Sequence, residues 1–392
     1  MQIIKSYFLI YLRKLDQPLY LIATYLGLSV TALSLHKEGF SSFLNKGHLF
    51  YDAERYFHIA LSLYTSEDTY AFHPLWPLLL RPFTQLNMNL ANVSVLVSLL
   101  AGFTFFFSLW PFTRLLRQYI QPWLLAPLCI LYVFAPPSVF HALPFSESLS
   151  ALLLTLLLLE SSKENPKKLN LGILSILLCL TRPFVIFIPI AVILAFLLTE
   201  LNSSKFQNFS LLKSSISMLI SSLLGYSFYG AYCFSKTGNF FQPFEAQKSW
   251  NRVFGFYWEL IFSPKSVGGS AHVLFWDLVS FYGSIAFVFL GIYIFLIKKV
   301  PMDKKFVFTF WWGTFLNVGH AAVAFLSYPI FMSLSRHILG LPTFFFSLAV
   351  VLNYFMKETS RKSKWILYFF CALSVFYFIK WWWRFARGSW IG

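Results

Sequence analysis

Apolar residues along this chain come in long runs, separated by short polar segments. They lie at about residues 18–35, 90–112, 122–140, 147–160, 169–181, 184–200, 214–235, 276–297, 306–325, 337–355 and 365–383. Most are about 17 to 23 residues long, which suits helices crossing roughly 30 Å of hydrocarbon, whereas the strands of a barrel need only about 10 residues each. Two runs, 147–160 and 169–181, fall short of spanning length by themselves. The pattern predicts an all-α, multi-span integral membrane protein with about 10 to 12 transmembrane helices. No internal repeat or composition shift marks a second unit, so one membrane domain is expected over residues 1–392.

Composition agrees: 58% apolar residues, 21% aromatics, 12% charged residues and a mean hydropathy of +0.65 exclude an ordinary soluble domain. The net charge of +16 would suggest nucleic acid in a soluble protein. Topology accounts for it here without a nucleic-acid partner. With the N-terminus cytoplasmic, the inside segments hold 18 of the 31 bases against six acids, and the outside segments 13 against nine. The inside loops are short and lysine-rich. Two long outside segments, 36–89 and 236–275, mix aromatics, acids, Arg, His and Gly, and loops of that length usually carry function. The first run serves as the membrane-targeting signal. The four cysteines sit inside apolar stretches without metal-ligand spacing and read as small buried hydrophobes.

Candidate chemistry starts in "LFYDAERYFHIALSLYTSEDTYAFHPLWPLLLRPF", residues 49–83, which gathers four of the 15 acids. Helical spacing puts Asp52, Arg55, Tyr56, Ile59 and Leu63 on one face. Asp52 reads either as the N-cap of an interfacial helix or as a general base at the membrane boundary. Pro74, Pro77 and Pro82 argue against a regular helix downstream and for a re-entrant path that presents His73 and Arg81. In "LPFSESLSALL", Ser146 is a candidate cap and Glu147 a first-turn acid, or a ligand for sugar hydroxyls or a partner Arg. Arg182 in "LTRPF" lies between two apolar runs, where a charge needs a cavity or a partner. A phosphate and Glu147 both qualify. Arg336 in "SLSRHILGLP" and Arg252 in "FEAQKSWNR" pose the same choice. There is no Walker A loop, GxGxxG, HExxH or DxD pair, so a soluble nucleotide-sugar donor lacks its signatures.

These motifs, in this order from about residue 45 onward, resemble the second mannosyltransferase of glycosylphosphatidylinositol (GPI) anchor assembly and its bacterial relatives. That family belongs to the C-type glycosyltransferases (GT-C), multi-span enzymes that use polyprenyl-phosphate sugars. The resemblance implies that Asp52 is catalytic and that Glu147, Arg182 and Arg336 occupy motif positions; it departs at Tyr51, where the family has Trp. The expectation is an inverting hexosyltransferase working outside a bacterial inner membrane. It would move a hexose, mannose foremost, from a polyprenyl phosphate to a lipid-linked or surface glycan. Asp52 would act as base, with Arg182, Arg336, His73, Arg252, Tyr56 and Glu147 binding substrate. No metal or other cofactor is expected, because a monophosphate leaves with less help than a diphosphate. The alternatives are a lipid-phosphate or sugar carrier that breaks no bond, and a non-catalytic scaffold of the same fold. Polar groups concentrated on one face favour the enzyme over a carrier.

Overall fold

The computed structural model describes residues 17–34, 51–86, 88–182, 187–201, 209–250, 252–266, 271–327, 330–331, 333–356 and 361–387. The first 15 residues of the first outside segment and the charged N-terminal residues Lys5, Arg13 and Lys14 lie outside these. Every one of the eleven apolar runs contains a helix. They are α1 (Pro18–Ser34), α4 (Leu90–Tyr119), α5 (Pro122–Val133), α6 (Glu147–Ser161), α7 (Lys168–Cys179), α8 (Ile188–Leu201), α9 (Phe209–Thr237), α10 (Ala271–Gly291), α11 (Lys304–Ser327), α13 (Pro342–Phe355) and α14 (Arg361–Ala386). Among the described residues, four helices are long and apolar enough to cross a bilayer individually, five if the bent pair Pro122–Val133 and Pro136–Ala142 counts as one.

Shorter helices fill the two long segments and the approach to α13: α2 (Asp52–Ser62), α3 (Leu75–Thr84) and α12 (Leu334–Leu339). Helix α3 corrects the expectation that three prolines forbid regular structure there. Pro74 is its N-cap and Pro77 lies in its first turn, where backbone N–H groups have no intrahelical partner, so only Pro82 interrupts the ladder. The second long segment also begins later than its sequence suggests, because α9 continues to Thr237.

The helix ends segregate. Tyr119 donates to the Ser162 carbonyl at 3.1 Å, the Asn353 side chain to the Tyr119 carbonyl at 3.1 Å, and Lys304 pairs with Glu200 at 3.6 Å. All these residues lie at ends the charge pattern puts on one side. At the other ends, Arg384 meets His272 and Arg336 meets Asp52. The buried core between the two sets is aromatic-rich, with Trp76, Trp311, Trp312, Trp381 and Trp382 each fully enclosed.

One break in the bundle matters for function. After α5 the chain bends by 68° into a 3-10 turn, Pro136–Ala142, because consecutive prolines at 136 and 137 cannot continue the α-helical ladder. The freed carbonyls are satisfied locally: Ser138 Oγ donates to those of Val133 and Ala135, at 2.6 and 2.7 Å. Tyr25 of α1 braces the bend by donating to the Ser138 carbonyl at 2.8 Å. This break delivers Phe140, Phe145 and the start of α6 to one place.

Candidate active site

Four charged side chains from four distant segments meet at that place. Glu147, 1% exposed, opens α6; its Oε1 forms an ion pair with Arg182 Nη1 at 2.6 Å and accepts a hydrogen bond from Arg336 Nε. Arg336 reaches outward through Nη1 to Asp52 Oδ2 at 2.8 Å. Its guanidinium also lies 4.5 and 4.6 Å from the ring centres of Phe140 and Phe145, which hold its plane by cation–π contact. The relay Asp52–Arg336–Glu147–Arg182 carries two negative and two positive charges, so it is neutral as a unit. Burying it is tolerable only because each charge has a partner.

Asp52 is the member that meets solvent, with its side chain 26% exposed. It does not cap α2. Tyr51 occupies the cap position, and no side-chain cap bond forms. Both short helices that present this ion pair start from a non-glycine residue with left-handed φ: Tyr51 at 58° before α2, and Ser333 at 57° before α12. Such backbone costs on the order of 1–3 kcal/mol and persists where surroundings enforce it.

The surroundings are visible. Asp277, fully buried near the start of α10, accepts from the Ser335 backbone N–H at 2.7 Å and from Ser266 Oγ at 3.0 Å. It thereby caps α12 from another helix, at the end where backbone N–H groups and the helix dipole favour a carboxylate. Ser266 pairs as an isolated bridge with Phe331, whose N–H donates to the Lys265 carbonyl at 2.7 Å. The second long segment is therefore tied to the helix that carries Arg336.

Arg182 is fixed by its own set. It follows the end of α7, whose last carbonyls are taken by the first segment: His73 Nδ1 is 2.5 Å from the Cys179 carbonyl, and the Leu75 N–H donates to that of Leu180 at 2.9 Å. Arg182 Nη2 donates to His337 Nδ1 at 2.6 Å. The hydroxyl of Tyr56 sits 2.8 Å from Ser146 Oγ, so Ser146 spends its side chain on Tyr56 and makes no cap bond. Arg252 acts electrostatically on His337 together with Arg182 and Arg336. The charges on Asp52, Glu147 and Arg182 also act on the buried Tyr56 phenol, whose pKa burial pushes up.

The structure thus brings Asp52, Glu147, Arg182, Arg336 and Tyr56 into one network, with Arg252 close enough to act on His337. His73 supports that network from behind. Burial pushes its pKa down to about 4, partly opposed by the Cys179 carbonyl, so it is neutral near pH 7. Since a carbonyl can only accept, the proton is on Nδ1 and Nε2 carries a lone pair. His73 therefore brings no positive charge to a phosphate, contrary to the expectation from sequence. Its Nε2 and Glu147 Oε2 are both buried acceptors without a hydrogen-bond partner among the described residues. Asp68, expected to be merely solvated, pairs with Arg55 at 3.2 Å. Asp277 and His337 were missed. An acid one residue into an apolar run was the available signal for Asp277, by the rule that singled out the two arginines. Among the described residues no group of three or more His, Cys, Asp or Glu has the spacing of a metal site.

No family profile matches this chain. An alignment 128 positions long, covering 29% of this chain, is 31% identical to GPI mannosyltransferase 2 of Drosophila melanogaster and covers 27% of that protein. The structure of ArnT from Cupriavidus metallidurans bound to undecaprenyl phosphate aligns over 91% of this chain and 62% of ArnT, with a TM-score of 0.50 and 12% identity. The fold is the GT-C fold. At that identity the likeness concerns fold alone, and the chain spans less than two thirds of either protein. It places the chain among multi-pass membrane proteins and agrees with the all-α architecture of the GT-C resemblance.

Proposed function

We propose that this GT-C chain is a membrane glycosyltransferase that moves a hexose, mannose foremost, from a polyprenyl phosphate to a hydroxyl of a lipid-linked or surface glycan. The reaction would run outside a bacterial inner membrane, with inversion at the anomeric carbon. The observation that carries the reading is a partly exposed carboxylate, Asp52, whose Oδ2 is fixed by an arginine belonging to a buried, charge-neutral relay. The name of the partly matching relative and the lipid phosphate in ArnT support the same class.

In this reading the acceptor oxygen attacks the anomeric carbon as the bond from that carbon to the phosphate oxygen breaks. Its proton passes to Asp52 Oδ1, and the electron pair leaves with the phosphate. Neutralising Asp52 changes the relay's net charge from zero to plus one at the moment negative charge grows on the leaving group. Arg182 and Arg336, held rigidly by Glu147, His337 and the two phenyl rings, are placed to stabilise that charge without reorganising. Arg252 adds a third cation, close enough to act on His337. Tyr56 holds the turn that presents Glu147. Segments 36–89 and 236–275 would form the catalytic face.

The test is reconstitution in liposomes with a polyprenyl phosphate carrying a labelled hexose and an extract of membrane glycolipids. Label appearing on a second lipid, with free polyprenyl phosphate released, supports the reading. Movement of intact donor between leaflets without cleavage would make the protein a carrier.

A further inference from the structure

Away from the charged relay, toward the end of the bundle marked by Tyr119 and Ser162, a groove of about 1100 Å³ opens between α4, α6 and the start of α1. Its wall is apolar, formed by Phe107 and Trp110 of α4 and by Leu152 and Leu156 of α6, one turn apart. Arg114 and Arg117 of α4 line it further along, both exposed, and among the described residues no acid lines it. Arg114 has no ion-pair partner among the described residues, although Glu160 stands at the nearby end of α6, paired with Lys163.

We infer that this groove is a binding site for one anionic phospholipid of the bilayer leaflet at this end, with its headgroup phosphate on Arg114 and Arg117 and an acyl chain along Phe107, Trp110, Leu152 and Leu156. Three observations select that occupant. One wall belongs to α4, a helix long and apolar enough to span the bilayer, so what lies against its exposed face is hydrocarbon. From Phe107 to Arg117 an α-helix rises about 15 Å, the depth of one leaflet, which sets the arginines at headgroup level when the aromatics are within the chains. Arg114, exposed and without an ion-pair partner among the described residues, distinguishes an anionic headgroup from a zwitterionic one. The volume is also on the scale of ligand clefts, about 300–1,000 Å³. The site is independent of the transferase reading, since it touches none of the relay residues.

The test is native mass spectrometry of the full chain purified in mild detergent, titrated separately with phosphatidylglycerol and phosphatidylcholine of matched chains. The wild type is expected to retain one phosphatidylglycerol with at least fivefold preference over phosphatidylcholine. Arg114→Gln should lower that retention about fivefold, the effect of one headgroup-level cation. Leu156→Trp, which fills the wall, should reduce retention of either lipid while size-exclusion behaviour stays unchanged. Equal retention of the two lipids by the wild type, or unchanged phosphatidylglycerol retention in Arg114→Gln, would overturn the proposal.

Discussion

Glu147 and Glu160 sit at opposite ends of the same helix, Glu147–Ser161, and meet cations in different ways. Glu147 shares one oxygen between two buried arginines, of which Arg336 is 189 residues away in sequence. Glu160 pairs with Lys163, three residues on and nearly half exposed, and accepts the Lys167 backbone N–H at 2.7 Å. The second arrangement closes a loop and neutralises an acid at a helix C-terminus, where the dipole disfavours it. The first brings charge into an apolar interior, where it must be assembled from distant segments. Stability alone gives little reason for that, since buried ion pairs are often no better than apolar residues of the same volume. A site that handles charge does.

The comparison is broken most directly at its buried end. Glu147→Gln leaves two arginines buried with one fewer carboxylate, and about 3–5 kcal/mol of stability should be lost. Glu160→Gln should cost less than about 1 kcal/mol, because its cation is already in water. Thermal unfolding in one detergent reads both, and equal shifts would mean that the relay is no more desolvated than the loop.

Next in size is a pH effect. His73 has a folded pKa of about 4, below its usual 6.5, so folding favours the neutral ring. Stability from this group is full above about pH 6.5 and declines as pH falls toward 4, by up to ~3 kcal/mol. Unfolding midpoints measured between pH 7.5 and 4.5 should show that slope in the wild type and a shallower one in His73→Asn.

A smaller effect is expected at Asp277, which touches the relay only through α12. Asp277→Asn removes the charge and weakens the bonds from Ser335 N–H and Ser266 Oγ, costing about 1–3 kcal/mol. If it positions Arg336, kcat should fall more than tenfold with KM for the lipid donor little changed, and Asp277→Glu should restore part of kcat. A loss confined to thermal stability would make it a structural cap only.

Much of the fold was legible because a bilayer leaves few options: most apolar runs became one helix, while 122–140 broke into α5 and a 3-10 turn and 337–355 fell across α12 and α13. The proline-rich stretch 74–82 was misread because proline is costly within a helix but not in its first turn. Asp52, Glu147, Arg182 and Arg336 were legible as charges out of place. Glu147 was among the partners the sequence offered for the arginines; that one carboxylate holds both, and that Arg336 also reaches Asp52, depends on how α2, α6, α7 and α12 pack. His73 shows the limit in the other direction: residue type suggested a charge, while burial and a carbonyl partner leave a neutral acceptor. Asp277 was overlooked although it stands out in an apolar run, and the contacts from Ser335 N–H and Ser266 Oγ explain why an acid stands there.

The central claim is that Asp52 accepts the acceptor's proton, and Asp52→Asn tests it most directly. Asparagine keeps the shape and can still accept from Arg336 but cannot take a proton. With purified lipid donor at saturation, transfer should fall at least 100-fold, in line with the usual contribution of a general base, while the thermal midpoint moves by only a few degrees. Transfer near the wild-type rate in that variant would contradict the account and leave the Asp52–Arg336 pair a structural contact.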